Sequence, residues 1–366
     1  MASCRRWWPA SPTSASWLSE ADIPGPPGDG LVQRLFARIR ADGPIRFDEY
    51  VEACLYDPAD GFYTTGGAAG RRGDFITSPE VGPLFGTVLA RWMDSVWENL
   101  GRPRGFTVVE AGAGRGALAR SVLAAGPECL SEGSYLAVER SELLRSEHPE
   151  GVESPADLPA GPLTGVVIAN ELLDNLAFGL LTAVDGAWHQ IRVDEGGDGL
   201  VEVPAEPLEP PVPVEPVDGA RIAVQDTASA WVSGALSMLE RGSLALIDYC
   251  TTTAEMASQP PGEWLRTYVE HERGGAPLDS PGGQDITVEV ATDQLPAGAS
   301  AMSQADFLTR HGIGELVEEG RLAWSERAGL GDLEAIRARS RAIEAEALMA
   351  TDGLGAFTVL EWVVGP

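Results

Sequence analysis

Apolar residues recur at helical spacing through the first hundred positions. Leu31, Val32, Leu35, Phe36 and Ile39 share one face, and Ala41-Asp42-Gly43-Pro44 stops that helix. Phe47, Tyr50, Val51, Cys54 and Leu55 form a second stripe that ends at Asp57-Pro58. The longest stripe runs from Val81 through Phe85, Leu89, Trp92, Met93 and Val96 to Leu100, about five turns. Its aromatic residues read as packing. Beyond position 105 the pattern changes to short, unbroken apolar runs at 106–109, 134–139, 166–169, 243–249 and 357–364. Such runs suit strands buried on both faces. Helical stripes at 228–239, 305–311 and 332–349 separate them, the last rich in Ala, Glu and Arg and read as solvent-facing. The alternation predicts an α/β fold, a Rossmann-like sheet with helices on both faces. Residues 178–184 and 188–193, joined by Asp185-Gly186, predict a β-hairpin. The proline- and acid-rich run from Pro204 reads as an extended surface excursion, and 264–292 as polar and irregular. There is no internal repeat.

The first apolar run leads into VVEAGAGRGAL, in which Glu110 precedes Gly112, Gly114 and Gly116. Glycine permits positive φ and lets a ligand approach the backbone, and the helix that follows presents unpaired N–H groups. A pyrophosphate-binding turn prefers G-x-G-x-x-G. Here the third glycine comes one residue early and a carboxylate stands before the first. That spacing disfavours a nicotinamide dinucleotide, and the pattern resembles the first motif of the Rossmann-like methyltransferases, whose cofactor carries no phosphate. Glu139, about 20 residues on, ends the next run where such folds place an acid for ribose hydroxyls. Asn170, Glu171 and Asp174 follow the third run, at the strand end where α/β sheets bind ligands. Asp248 and Tyr249 hold the same position after the fourth. A glycine-rich stretch from Asp60 to Phe85, with Asp74, Thr77 and Ser78, reads as a lid or binding loop.

Composition excludes several classes. The 366 residues, 44% hydrophobic, suffice for a substantial core. A formal charge of −29 argues against a nucleic-acid-binding surface. All 26 basic residues are arginine, so a lysine Schiff base and a P-loop lysine are both excluded. Cys4, Cys54, Cys129 and Cys250 form no C-x-x-C pair, and His148, His189, His271 and His311 lack metal-ligand spacing. These features lead to the expectation of a reduced, cytoplasmic protein without a metal. No 18-residue apolar run suggests a membrane span, and residues 1–28 read as a disordered lead.

Taken in order, the blocks GPIRFDEYVEACLYDP, GDFITSPEVGPLFG, VVEAGAGRGAL, ANELLDNLAF, GSLALIDY, RTYVEH with PGGQDITVEV, and QADFL resemble the MidA-like family of S-adenosylmethionine-dependent methyltransferases. The resemblance runs from about Leu31 to the C-terminus. It implies one methyltransferase domain over 29–366 with a seven-stranded Rossmann-like sheet. N-terminal helices and a lid would occupy 31–100, the core 101–250 with an excursion at 177–218, a cap insertion about 251–300, and the rest of the core 301–366. It also implies S-adenosylmethionine as cofactor and methylation of an arginine-bearing protein, since mitochondrial relatives act on a respiratory complex I subunit. On this reading Glu110, Gly112, Gly114, Gly116, Glu139, Asn170, Asp74, Thr77 and Ser78 bind the cofactor. Glu171 and Asp174 orient the acceptor, with Asp248, Tyr249 and His271 as further catalytic candidates. The chain departs from the family pattern at Ala113, where proline is frequent, and at Cys250, where glycine is usual. A small-molecule acceptor, or a non-catalytic assembly factor that keeps the fold, are the alternatives; oligomeric state is not legible.

Overall fold

The structure is a computed structural model that describes residues 29–65, 77–197, 199–269, 272–328 and 333–365. The N-terminal lead, Asp74 and His271 lie outside them. Strands β1 (Thr107–Ala111), β2 (Ser134–Val138), β3 (Leu163–Asn170) and β4 (Leu239–Asp248) lie parallel in the order β2-β1-β3-β4. Two antiparallel strands extend the β4 side, with β6 (Thr358–Val364) on β4 and β5 (Ser300–Ser303) on β6. The described residues thus form six strands where the resemblance implied seven. The outer position beside β2 is taken by the segment around Glu153. Its N–H donates to the Tyr135 carbonyl at 3.0 Å and its carbonyl accepts from Ala137 at 2.8 Å. The Glu139 N–H continues the pairing to the Pro155 carbonyl at 3.1 Å, and Pro155 has no N–H to return.

Successive strand residues point into different cores, which is why the apolar runs are unbroken. Val108, Ala137, Ile168 and Ile247 face one side, and Val109, Val138, Val167 and Leu246 the other. The longer helices among the described residues are α1 (Asp29–Asp42), α2 (Phe47–Tyr56), α3 (Pro83–Asn99), α4 (Ala117–Ala125), α5 (Asp226–Met238), α6 (Gln304–Arg310), α7 (Ile313–Arg327) and α8 (Leu333–Leu348). Residues of α3, α4, α6, α7 and α8 fill the first side, and Trp231, Val232 and Ala235 of α5 the second. Gly112, Gly114 and Gly116, at φ of +68°, +52° and +76°, turn the chain from β1 into α4.

A second core lies outside this sheet. The hairpin Gly179–Val184 and Ala187–Gly196 forms as expected and sits in a five-stranded antiparallel sheet with Ile45–Arg46, Gly199–Pro207 and Arg221–Val224. Phe47 and Tyr50 of α2 pack here with Phe178, Trp264 and Ile286.

Three local expectations change. The proline-rich run begins inside a strand, because Gly199–Pro207 is an edge and an edge tolerates missing donors. The supposedly irregular stretch carries a three-stranded sheet of Leu265–Val269, Glu272–Arg273 and Asp285–Val288. Gly312, at φ +85°, stops α6 as expected and also begins α7, a helix whose apolar positions are too sparse for a stripe. Helix α8 is only partly solvent-facing: the Glu344 carboxylate is buried and accepts the Leu84 N–H at 2.9 Å.

Candidate active site

The carboxyl ends of β1, β2 and β3 open into a cleft whose empty space, counted out into open solvent, is about 1000 Å³. It is lined by Glu110, Gly112, Gly114, Glu139, Asn170 and Glu171, all singled out from the sequence, and by Thr77 from the lid. Gly116 lies just behind, at the N-terminus of α4.

The turn is held from several sides. Gly114 N–H donates to Glu139 Oε2 at 3.0 Å, and Ser141 N–H to Glu139 Oε1 at 2.8 Å. Burial raises the Glu139 pKa, and these N–H groups oppose the shift. Ala113 N–H donates to the Val138 carbonyl at 3.0 Å, a bond proline cannot make, so alanine at this position adds a tie to β2. Glu110 points beneath α4, where the Tyr135 hydroxyl donates to its Oε2 at 2.6 Å, and burial lifts its pKa to about 7. Glu110 is therefore a buried anchor under the turn as well as a lining residue.

A second group of acids extends from the cleft floor behind β3 and β4. Glu171 has φ +53°, uncommon for a residue with a Cβ. Its backbone N–H donates to the Ile247 carbonyl at 2.8 Å, and its Oε1 accepts from Asn170 Nδ2 at 2.8 Å. Burial first, and the Asp248 charge second, raise its pKa to about 8. Asp248 Oδ2 accepts from the N–H groups of Leu173 at 3.0 Å and Asp174 at 3.4 Å, and burial raises its pKa to about 7. Asp174 is pushed well above the ordinary carboxylate range by burial and by Asp248, and its buried Oδ1 has no hydrogen-bond partner among the described residues.

Several contributors were not singled out from the sequence. Tyr56 and Tyr63 stack at 5.6 Å and form the wall supplied by the second core. The Tyr63 hydroxyl donates to Asp285 Oδ2 at 3.1 Å, and Asn175 Nδ2 to Asp285 Oδ1 at 3.2 Å. The Arg140 guanidinium lies 4.2 Å over the Tyr56 ring and pairs with Glu52 at 2.8 Å. The PGGQD block carried the one sequence signal for Asp285. Besides Gly116, four described candidates do not line the cleft: Asp174 and Asp248 are buried behind it, and Ser78 and Tyr249 are turned elsewhere. The Ser78 hydroxyl turns away from the cleft to donate to buried Gln304 Oε1 at 2.9 Å, leaving only its backbone N–H near Glu171. Tyr249 stacks on Phe357 at 4.1 Å and does not line the cleft. Among the described residues no cluster suits a metal ion.

The geometry suits S-adenosylmethionine on two structural counts. A Cβ built on Gly114 meets nothing within 4 Å, so this backbone is left accessible from the open side. Asn170 Oδ1 is buried without a partner among the described residues and offers an acceptor beside the cleft.

A parallel sheet whose first turn and second-strand acid frame such a cleft defines a Rossmann-like fold that binds an adenosine-bearing cofactor. Residues 88–311 match a family described as "Putative S-adenosyl-L-methionine-dependent methyltransferase", and the chain belongs to that family. It is an S-adenosylmethionine-dependent methyltransferase of the MidA-like group. A protein from Burkholderia thailandensis solved with S-adenosyl-homocysteine is 28% identical, with TM-score 0.77 over 93% of this chain and 95% of that one. The mitochondrial protein arginine methyltransferase NDUFAF7 homolog of Drosophila melanogaster is 27% identical over 316 residues, 74% of this chain and 70% of the relative. Human mitochondrial protein arginine methyltransferase NDUFAF7 is 40% identical over 93 residues, 25% of this chain and 21% of that protein. These relatives overturn the cytoplasmic expectation, since both are mitochondrial. Free thiols report a reducing environment, which is not unique to the cytosol. No described helix is long and apolar enough to cross a membrane.

Proposed function

We propose that the chain methylates an arginine side chain of a protein. The observation that carries this reading is the group of carboxylates beside the cleft, Glu171 lining it with Asp174 and Asp248 buried behind, and Asp174 Oδ1 without a hydrogen-bond partner among the described residues. Carboxylates held above their ordinary pKa by burial form a site that gains most from a cation. A guanidinium supplies planar donors that match paired carboxylate oxygens. The relatives named as protein arginine methyltransferases support the same acceptor.

In this assignment Gly112, Gly114 and Gly116 admit the cofactor to the backbone, Glu139 faces its ribose, and Asn170 and Thr77 complete the wall. S-adenosylmethionine, when bound, supplies a methyl group already activated on a sulfonium. The chain's own work is to align an acceptor nitrogen with that methyl and exclude water, which lowers the barrier mainly by positioning. A guanidinium arrives protonated and delocalised. Asp174, backed by Asp248, fixes its orientation, and the Glu171 carboxylate takes the proton released as the N–C bond forms and the methyl–sulfur bond breaks, the neutral thioether leaving. Approach of the cation favours the ionised form of Glu171, so the base is produced by the substrate it serves.

The test is incubation with methyl-labelled S-adenosylmethionine and paired peptides, one carrying arginine and one lysine at the same position. Label on the arginine peptide alone supports the reading. Label on lysine, or labelling of small molecules only, sinks it.

A further inference from the structure

The stretch after β2 wraps the glycine turn from outside the cleft. Arg120 Nη1 donates to the Glu147 carbonyl at 3.0 Å, and the Arg115 guanidinium pairs with the Glu147 carboxylate. His148 sits at the centre of this strap. Its Nε2 lies 2.9 Å from the Gly114 carbonyl oxygen and its Nδ1 2.9 Å from Ser154 Oγ. A carbonyl oxygen only accepts, so Nε2 carries the ring proton and Nδ1 accepts from the Ser154 hydroxyl. A Cβ on Gly116 would stand 3.2 Å from His148 Cδ2 and 3.0 Å from Pro149 Cδ, so the strap also fills the space a side chain would need there.

We propose that His148 is a positioning residue for the cofactor, fixing the Gly114–Arg115 peptide by donating to the Gly114 carbonyl while Glu139 accepts the Gly114 N–H. Both polar groups of Gly114 are then engaged by side chains from the segment after β2. A peptide with φ +52° at its glycine has no helix or strand ladder to fix it. Without the imidazole the carbonyl is free to rotate, and binding must first select the competent turn. The role is in the turn's geometry and not in the chemical step. Burial lowers the His148 pKa, which keeps the ring neutral near neutral pH. Protonation at Nδ1 would turn that nitrogen into a donor to Ser154 and leave the Gly114 bond in place.

Calorimetry with S-adenosylhomocysteine on two variants tests this. His148→Phe keeps a ring against Gly116 and removes the donor. His148→Gln restores an amide donor near the Nε2 position. The expected outcome is about tenfold weaker binding for His148→Phe, the scale of one lost hydrogen bond with an acceptor left exposed. The KM for S-adenosylmethionine should rise in proportion while kcat is unchanged, and His148→Gln should recover to within about threefold of wild type. Wild-type affinity in His148→Phe, or an equal loss in a folded His148→Gln, overturns the proposal. If His148→Phe fails to fold, Ser154→Ala serves instead: weakened binding supports the positioning role, and unchanged binding overturns it.

Discussion

Glu139 Oε2 accepts the Gly114 N–H at 3.0 Å, so the acid that ends β2 closes the glycine turn of the neighbouring strand while facing the cleft. Its other oxygen takes the Ser141 N–H. A glutamine can accept only at one of these points and sets an NH₂ group against the other donor. Glu139→Gln should therefore weaken S-adenosylhomocysteine binding by about tenfold or more, the scale of an unsatisfied buried donor. Calorimetry showing wild-type affinity would remove the acid from the turn's support.

The glycines of the turn should separate by experiment. At Gly114 a Cβ meets nothing within 4 Å, whereas at Gly116 it presses on His148 and Pro149. Gly114→Val should lower stability by only about 1–2 kcal/mol, the cost of left-handed backbone for an L residue, yet abolish cofactor binding. Gly116→Val should lose more stability, because crowding adds to the same strain. Urea unfolding and calorimetry on both variants check this, and equal stability losses would contradict the packing described.

Much of the cofactor side was legible in the sequence because it rests on local rules. Unbroken apolar runs located β1 to β4, glycine spacing marked the turn, and Glu139 and Asn170 follow from their places at strand ends. The wall contributed by the second core was less legible because long-range packing assembles it. Tyr56 and Tyr63 reach the cleft from the end of α2 and the loop beyond it, and Asp285 meets Asn175 across more than a hundred residues. Ser78 was misplaced for the same reason: a buried hydroxyl follows its partner, and Gln304 stands 226 residues away. Edge strands in the proline-rich and polar stretches escaped because their exposed faces carry no apolar signal.

Stability should fall as pH rises from about 6.5 to about 8, an interval bounded below by the ordinary histidine pKa. Glu110 and Asp248 titrate near 7 and Glu171 near 8 in the folded chain, and Asp174 higher than its ordinary value. Their unfolded values are about 4. In this interval the native state binds more protons than the unfolded one, so raising pH favours unfolding. His148 and His311, lowered by burial, act with the opposite sign but below the chosen interval. The urea midpoint should be lower at the upper pH, and Glu171→Gln should flatten the slope. A midpoint that rises with pH would contradict the burial of these acids.

Glu171→Gln should keep S-adenosylhomocysteine affinity within about threefold and lower the transfer rate by about 10² or more, the scale of a lost general base. In the wild type kcat/KM should climb with pH toward the Glu171 value of about 8 as its carboxylate ionises. Loss of that rising limb in the glutamine variant assigns it to Glu171. An unchanged rate profile would remove Glu171 from proton transfer.

Arginine methylation is tested most directly by capturing proteins that co-purify with the chain, incubating the complex with S-adenosylmethionine, and sequencing the products by tandem mass spectrometry. The expected result is a methyl group on an arginine of a captured protein, present with wild type and absent with Glu171→Gln. A methyl group on another residue type, or equal arginine methylation with both enzymes, would contradict the assignment of the buried acids as the acceptor site.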